Sequence, residues 1–266
     1  MYLKHLSRLL AVAALLLVAS PAMAATESMV NGRLSSNWSG YVAARGHYSG
    51  VGASWVVPTL AATTTLMTDV AWVGIGGSKS KDLIQAGTHS AVQNGRVQYW
   101  AWYELLPDYQ KPIPLVVKGG DKVTVDLTEV SQDLWFLSFV NETTGAYHGQ
   151  ALEYRSRNNS AEWIQEMPVV YGRDGDRVYA PLSEFGTVTF SDAYAVVDGK
   201  RTSIADTRAS AVTMVSKLNK KVVLATPQEI VGDGFTVVRS GAVPSPVAQK
   251  PGKRYRADPA DIVWSK

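Results

Sequence analysis

Few side chains in this sequence could carry hydrolytic chemistry, and their types narrow the choice at once. Cysteine is absent, which excludes a thiolate nucleophile, a sulfur-ligated metal and a disulfide framework. Outside the N-terminal leader only His47, His89 and His148 supply imidazoles. They lack the spacing of a zinc-binding helix, so no metal and no cofactor is expected. Carboxyls and amides remain. Glu104 lies in "YWAWYELLP", Glu162 and Glu166 lie in "AEWIQEMP", and Gln85 interrupts the aliphatic run of "DLIQAGTHS". A glutamine there either points at water or donates to something specific. A carboxyl whose pKa is raised by partial burial can take a proton from water or give one to a leaving amine. A primary amide donates hydrogen bonds without titrating, which suits a developing oxyanion.

The elements that must position these groups are strands. "VGASWVV", "DVAWVGI", "KVTVDLTEV", "LWFLSFV" and "GTVTFSDAYAVV" alternate with period 2 and are rich in β-branched and aromatic residues. Turn pairs punctuate them at Gly119-Gly120, Thr144-Gly145, Asp174-Gly175 and Asp198-Gly199. Asn94-Gly95 gives the strongest hairpin signal. One short helix is expected within Ala205–Leu218. No internal repeat is present, so the pattern predicts an all-β sandwich or barrel.

Residues two apart in a strand share a face. Trp100, Trp102 and Glu104 therefore fall together, as do Gln85, Gly87 and His89, and as do Glu162, Ile164 and Glu166. A sheet face carrying Trp, Gln and Glu suits a groove for an extended polymer, with indoles as platforms, better than a sandwich core.

The N-terminus reads as an export signal. A short basic stretch, the apolar "LLAVAALLLVAS" and Ala22 and Ala24 at small-residue positions predict a signal peptide over 1–24, cleaved after Ala24. The product is secreted or periplasmic. Its formal charge falls from +3 to +1 when Lys4 and Arg8 leave, so neither nucleic acid nor a membrane surface is an expected partner. About 242 residues remain, enough for one large β domain. Residues 25–36 form a short N-terminal segment, 37–243 the sandwich, and 244–266 a Pro-rich basic arm. A monomer is expected. Asn37, Asn141 and Asn158 head glycosylation sequons.

"NWSGYV", "AWVGIGG", "LIQAGT", "WAWYE" and "NNSAEWIQEMP" occur in this order. Together they resemble the glutamic peptidases, or eqolisins, in a bacterial-like, cysteine-free form. The resemblance implies a concanavalin-like jelly-roll sandwich of two antiparallel sheets and a secreted, pepstatin-insensitive endopeptidase acting on polypeptides at acidic pH. It also implies that Gln85 and Glu166 are the catalytic dyad. Carried over with them, Trp38, Trp72, Gly76, Gly87, His89, Trp102 and Glu104 would contact substrate, and Glu162 would support the dyad.

The chain departs from the family at two positions near the dyad. Gly76 replaces a usual acid in "GIDG", and His89 stands where another acid often lies. Exchanging acid for an imidazole predicts a cation beside Glu166 below about pH 6.5, the ordinary histidine pKa. Two other functions fit the same residues. A jelly-roll glycoside hydrolase would pair Glu104 with Glu166 across a groove, but it leaves Gln85 unexplained. A non-catalytic binding module would keep the fold without the chemistry.

Overall fold

The structure, a computed structural model, describes residues 32–171 and 177–241. The expected leader, the C-terminal arm and the Asp174-Gly175 turn lie outside the described residues. Strands β1 (Arg33–Ser35), β2 (Trp38–Ala43) and β3 (Tyr48–Val56) open the chain. A first meander follows: β4 (Met67–Gly76), β5 (Leu83–Gln93) and β6 (Arg96–Leu105), edged by the two-residue β7 (Lys111–Pro112). A second comprises β8 (Lys122–Ser131), β9 (Leu134–Asn141) and β10 (Ala146–Glu153). Then come β11 (Ala161–Glu166), the hairpin of β12 (Val169–Tyr171) and β13 (Arg177–Tyr179), and the hairpin of β14 (Thr187–Val197) and β15 (Lys200–Ser203). Strands β16 (Ser210–Val215), β17 (Val223–Pro227) and β18 (Phe235–Arg239) finish the fold.

Hydrogen bonding runs in the order β10-β9-β8-β3-β14-β18-β17-β16-β2-β11-β4-β5-β6-β7. The ladder folds over between β17 and β16 to give two layers, the all-β sandwich expected. Val73, Ile84, Ala86, Ala101 and Trp163 of one layer pack on Val51, Trp55, Val125, Leu137 and Phe190 of the other. Indole donors tie the layers: Trp163 Nε1 donates to the Gly52 carbonyl at 3.1 Å, and Trp55 Nε1 to Thr88 Oγ1 at 2.9 Å. The Asn94-Gly95 hairpin joins β5 to β6 with φ of 52° and 75°, as a type I′ turn requires. Asp198-Gly199, at 49° and 79°, does the same for β14 and β15.

The expected helix in Ala205–Leu218 is not formed. One 3-10 turn at Ile204–Asp206 ends before Arg208, whose φ is 54°, and β16 then pairs with β2 and, in parallel, with β1. Val212, Thr213 and Val215 favour a strand, and pairing satisfies the edge of β2 that a helix would leave open.

Burial separates the layers. β8 alternates as a half-exposed strand should, whereas β4 and β5 are buried along nearly their whole length on both faces. Their outer face is covered by a second apolar cluster of Val42, Val70, Trp72, Leu83, Trp102, Ile164 and Val212. The candidate residues lie within that cluster.

Candidate active site

Register places the site residues in three rows across β11, β4, β5 and β6. The first row is Glu162, Gly74, Gln85 and Glu104; the second is Ile164, Trp72, Gly87 and Trp102; the third is Glu166, Val70, His89 and Trp100. All face away from the sandwich core, as alternation predicts. Gln85 and Glu166 are therefore diagonal, two strands and two rows apart. The Trp72 indole of β4 stands on the diagonal between them, with Gly74 and Gly87 flanking it. A Cβ on Gly87 would lie 2.1 Å from the Ala71 carbonyl oxygen and 2.7 Å from Trp72 Cβ, so only glycine lets β4 and its indole approach this closely.

Glu166 is the best-held carboxyl of the face. Its Oε1 accepts from Asn37 Nδ2 and its Oε2 from Trp72 Nε1, each at 2.8 Å. Part of its surface stays open. Desolvation pushes its pKa up to about 7, against the opposing hydrogen bonds of Trp72, Asn37 and Trp38. Asn37 is the residue that sequence missed as a site group. It immediately precedes β2, beside the Trp38 that pairs with Glu166 in register, and only its place in the "NWSGYV" motif marked it.

Glu104 and Gln85 form a second polar unit. Gln85 is 6% and Glu104 5% exposed. The Gln85 Nε2 position lies 2.5 Å from Glu104 Oε2, while Gln85 Oε1 is buried without a partner and Glu104 Oε1 without a well-formed hydrogen bond. Burial pushes the Glu104 pKa up to about 8, opposed by Gln85 and reinforced by the charge of Glu166.

Glu162 is wholly sealed, and neither carboxyl oxygen has a well-formed hydrogen bond. Desolvation holds its pKa well above the usual range, the Ser160 hydroxyl opposing and the nearby Asp82 carboxylate adding to the rise. A group with no route to solvent cannot meet a substrate, which separates Glu162 from Glu166.

Three expectations need correction. His89 is fully buried, stacked on Trp100 at 4.1 Å. Thr68 Oγ1 donates to the Ser90 carbonyl, so His89 Nε2, 2.6 Å away, is the donor to Thr68. Burial pushes the His89 pKa well below its ordinary value, so the expected cation beside Glu166 is not formed. Trp72 and Trp102 are buried too and present no platform; Trp72 contributes its N–H to Glu166 instead. Trp38 and Trp100 alone of the four keep part of their surface open, and Trp38 meets Trp72 edge-on at 5.1 Å.

Gly76 lies at the end of β4 with φ of 96°, where a Cβ would strike the Asp82 carbonyl oxygen at 2.3 Å. An acidic side chain has no room at that position; the Asp82 carboxylate lies beside it instead. Asn141 and Asn158 are buried, so those two sequons are closed to glycosylation.

Comparison with known proteins follows the same lines. The model of the peptidase A4 family matches residues 36–239. Aspergillopepsin-2 of Aspergillus niger is 26% identical over 236 residues, covering 78% of each chain. Scytalido-glutamic peptidase, solved with a transition-state analogue inhibitor, superposes with a TM-score of 0.67 at 22% identity, over 80% of this chain and 100% of that one. SCP-B, an eqolisin solved with the tripeptide Ala-Ile-His, gives 0.64 at 22% identity with the same coverage. The chain belongs to the peptidase A4 family, the glutamic endopeptidases.

Proposed function

We propose that this endopeptidase cleaves polypeptides with Glu166 as the proton-transferring carboxyl and Gln85 as the amide donor to the oxyanion. The observation that carries this is the contrast among three glutamates on one face. Glu166 alone is both partly open and held by donors, so it can exist as a carboxylate and reach a water. It takes the proton of the attacking water and returns it to the leaving amine. Gln85, neutral at every pH, donates to the carbonyl oxygen as charge develops there, and the dry walls of Trp72, Trp102 and Ile164 strengthen that interaction. The tripeptide held by SCP-B supports a polypeptide substrate.

With Glu166 as the base, activity falls away in acid as its raised carboxyl, at about 7, takes up a proton, so the working range lies closer to neutrality than the resemblance implies. Ionisation of Glu166 favours higher pH, whereas the burial of several carboxyls makes the fold itself prefer acid. The leader pattern of residues 1–24 supports export. Among the described residues no helix is long and apolar enough to cross a membrane.

The test is hydrolysis of an acid-denatured protein beside a β-glucan control. Protein but not glucan should be cut. Gln85→Ala and Glu166→Gln should each lose on the order of 10²-fold or more in kcat with native circular dichroism. An active Gln85→Ala enzyme would refute the dyad.

A further inference from the structure

We infer that Glu104 is the positioning residue for Gln85: it stands as a neutral carboxylic acid whose hydroxyl is donated to Gln85 Oε1, which releases both Nε2 hydrogens from the carboxyl. The inference rests on the dyad proposed above and adds a third member to it.

Two buried oxygens raise the question. With Gln85 Nε2 facing Glu104 Oε2, Gln85 Oε1 is left unpaired inside a nearly closed site, and Glu104 Oε1 has no well-formed hydrogen bond, only the Gln110 backbone N–H nearby. Buried polar atoms are seldom left so. Rotation of the amide about its last torsion exchanges nitrogen and oxygen with little change of shape, so hydrogen bonding decides the orientation. Gln85 Oε1 then accepts a hydrogen bond, and the donor must be Glu104 in its protonated form. The 2.5 Å separation suits O–H···O and is short for N–H···O. The Gln85 oxygen gains a donor, and the amide hydrogens are no longer held by Glu104 and can turn to an oxyanion formed beside them.

The surroundings keep the proton on Glu104. Gln85 faces it from β5 and Glu166 from β11; the Gln110 backbone N–H reaches it from the loop after β6. Tyr154, beyond β10, is near enough to feel its charge, and so is Asp108 to Tyr154. The only cation by that loop, among the described residues, is Lys111, which is paired with Asp108 at 3.5 Å near the surface. Every facing group is thus neutral or acidic. Burial and the Glu166 charge raise the Glu104 pKa to about 8.

Ionisation would reverse the arrangement. A carboxylate only accepts, so it would draw Gln85 N–H toward itself and away from the groove. Glu104 therefore acts as a proton switch on the oxyanion donor, distinct from the proton transfer at Glu166.

The experiment compares two variants and follows one resonance. Glu104→Leu keeps the volume without a donor and should lose about 10²-fold in kcat with little change in KM, the loss typical of an oxyanion donor. Glu104→Gln can donate to Gln85 Oε1 and cannot titrate. It should recover most of that loss, and its activity should not fall on the alkaline side where the parent's does while both remain folded. In parent protein the Gln85 side-chain amide resonances should move with the Glu104 carboxyl carbon as pH passes about 8. An alkaline limb unchanged in Glu104→Gln, or Gln85 amide signals indifferent to that titration, would overturn the switch and leave the dyad standing. An active Gln85→Ala would overturn both.

Discussion

Glu166→Gln should make this protein inactive and, above neutrality, more stable. Burial raises the Glu166 pKa from 4.5 to about 7. A carboxyl with a raised folded-state pKa binds protons better folded than unfolded, so its contribution is fully present below the unfolded value and is lost as pH climbs. The loss runs from about pH 4.5 to about pH 7. A shift of about 2.5 units at 1.36 kcal/mol each amounts to about 3 kcal/mol. Glutamine cannot ionise and escapes that loss. It does meet the Trp72 and Asn37 donors with one carbonyl instead of two oxygens, a fixed cost of about 1 kcal/mol. Because that cost is the same at each pH, the informative quantity is the slope. Urea unfolding of parent and variant at pH 4 and pH 8 should show the parent losing about 3 kcal/mol more over the interval. In a domain of this size that corresponds to about 6 to 12 °C in Tm. Parallel pH dependences would mean that Glu166 titrates as an ordinary exposed carboxyl, and the proposed proton transfer would lose its basis.

Other consequences follow from the same site. Trp72→Phe removes the donor to Glu166 Oε2; the acid limb of kcat/KM should move up by about 1 to 2 pH units, the worth of a charge-assisted bond. Glu162→Gln should retain most activity and flatten the fall of stability with rising pH, since the raised pKa of a sealed Glu162 acts in the same direction as that of Glu166. An inactive, well-folded Glu162→Gln would show that it does more than support. Gly87→Ala places a Cβ 2.1 Å from a backbone oxygen that cannot yield, so destabilisation of about 1 to 3 kcal/mol and a displaced Trp72 are expected, read by unfolding and by indole fluorescence.

The period of two carried most of the legible structure. It put Gln85, Gly87 and His89, the Glu104 strand and the Glu166 strand on one face, and register then aligned them. Depth was not legible. Alternation tells which way His89 points but not that Trp100 stacks on it and seals it. Whether Trp72 is a platform or a donor depends on a Glu166 oxygen 94 residues away in sequence. Asn37 sits outside any strand, so no periodicity reports its reach to Glu166. The segment after Ala205 misled because its small residues tolerate a helix, and the decision came from the open edge of β2. Gly76 stands where the family pattern has an acid, and no sequence signal reports the positive φ beside the Asp82 carbonyl that suits glycine there.

Three carboxyls share this face, and the donors each has met sort their roles. Glu166 has three opposing hydrogen bonds and settles at about 7. Glu104 has Gln85 and the Gln110 backbone, faces the charge of Glu166, and settles at about 8. Glu162 has only the Ser160 hydroxyl to oppose its burial and is held well above the usual carboxyl range. With His89 neutral, no imidazolium lowers the series, so as pH rises the charge appears first on Glu166 and only later on Glu104. That order is what the chemistry needs: a base able to take a proton while its neighbour still holds one. It comes from hydrogen-bond donors rather than from countercharge. Stripping donors from Glu166 should therefore do more than shift a limb. If its pKa rose past that of Glu104, the first charge would fall on Glu104, and Gln85 would be turned from the groove before any base was available.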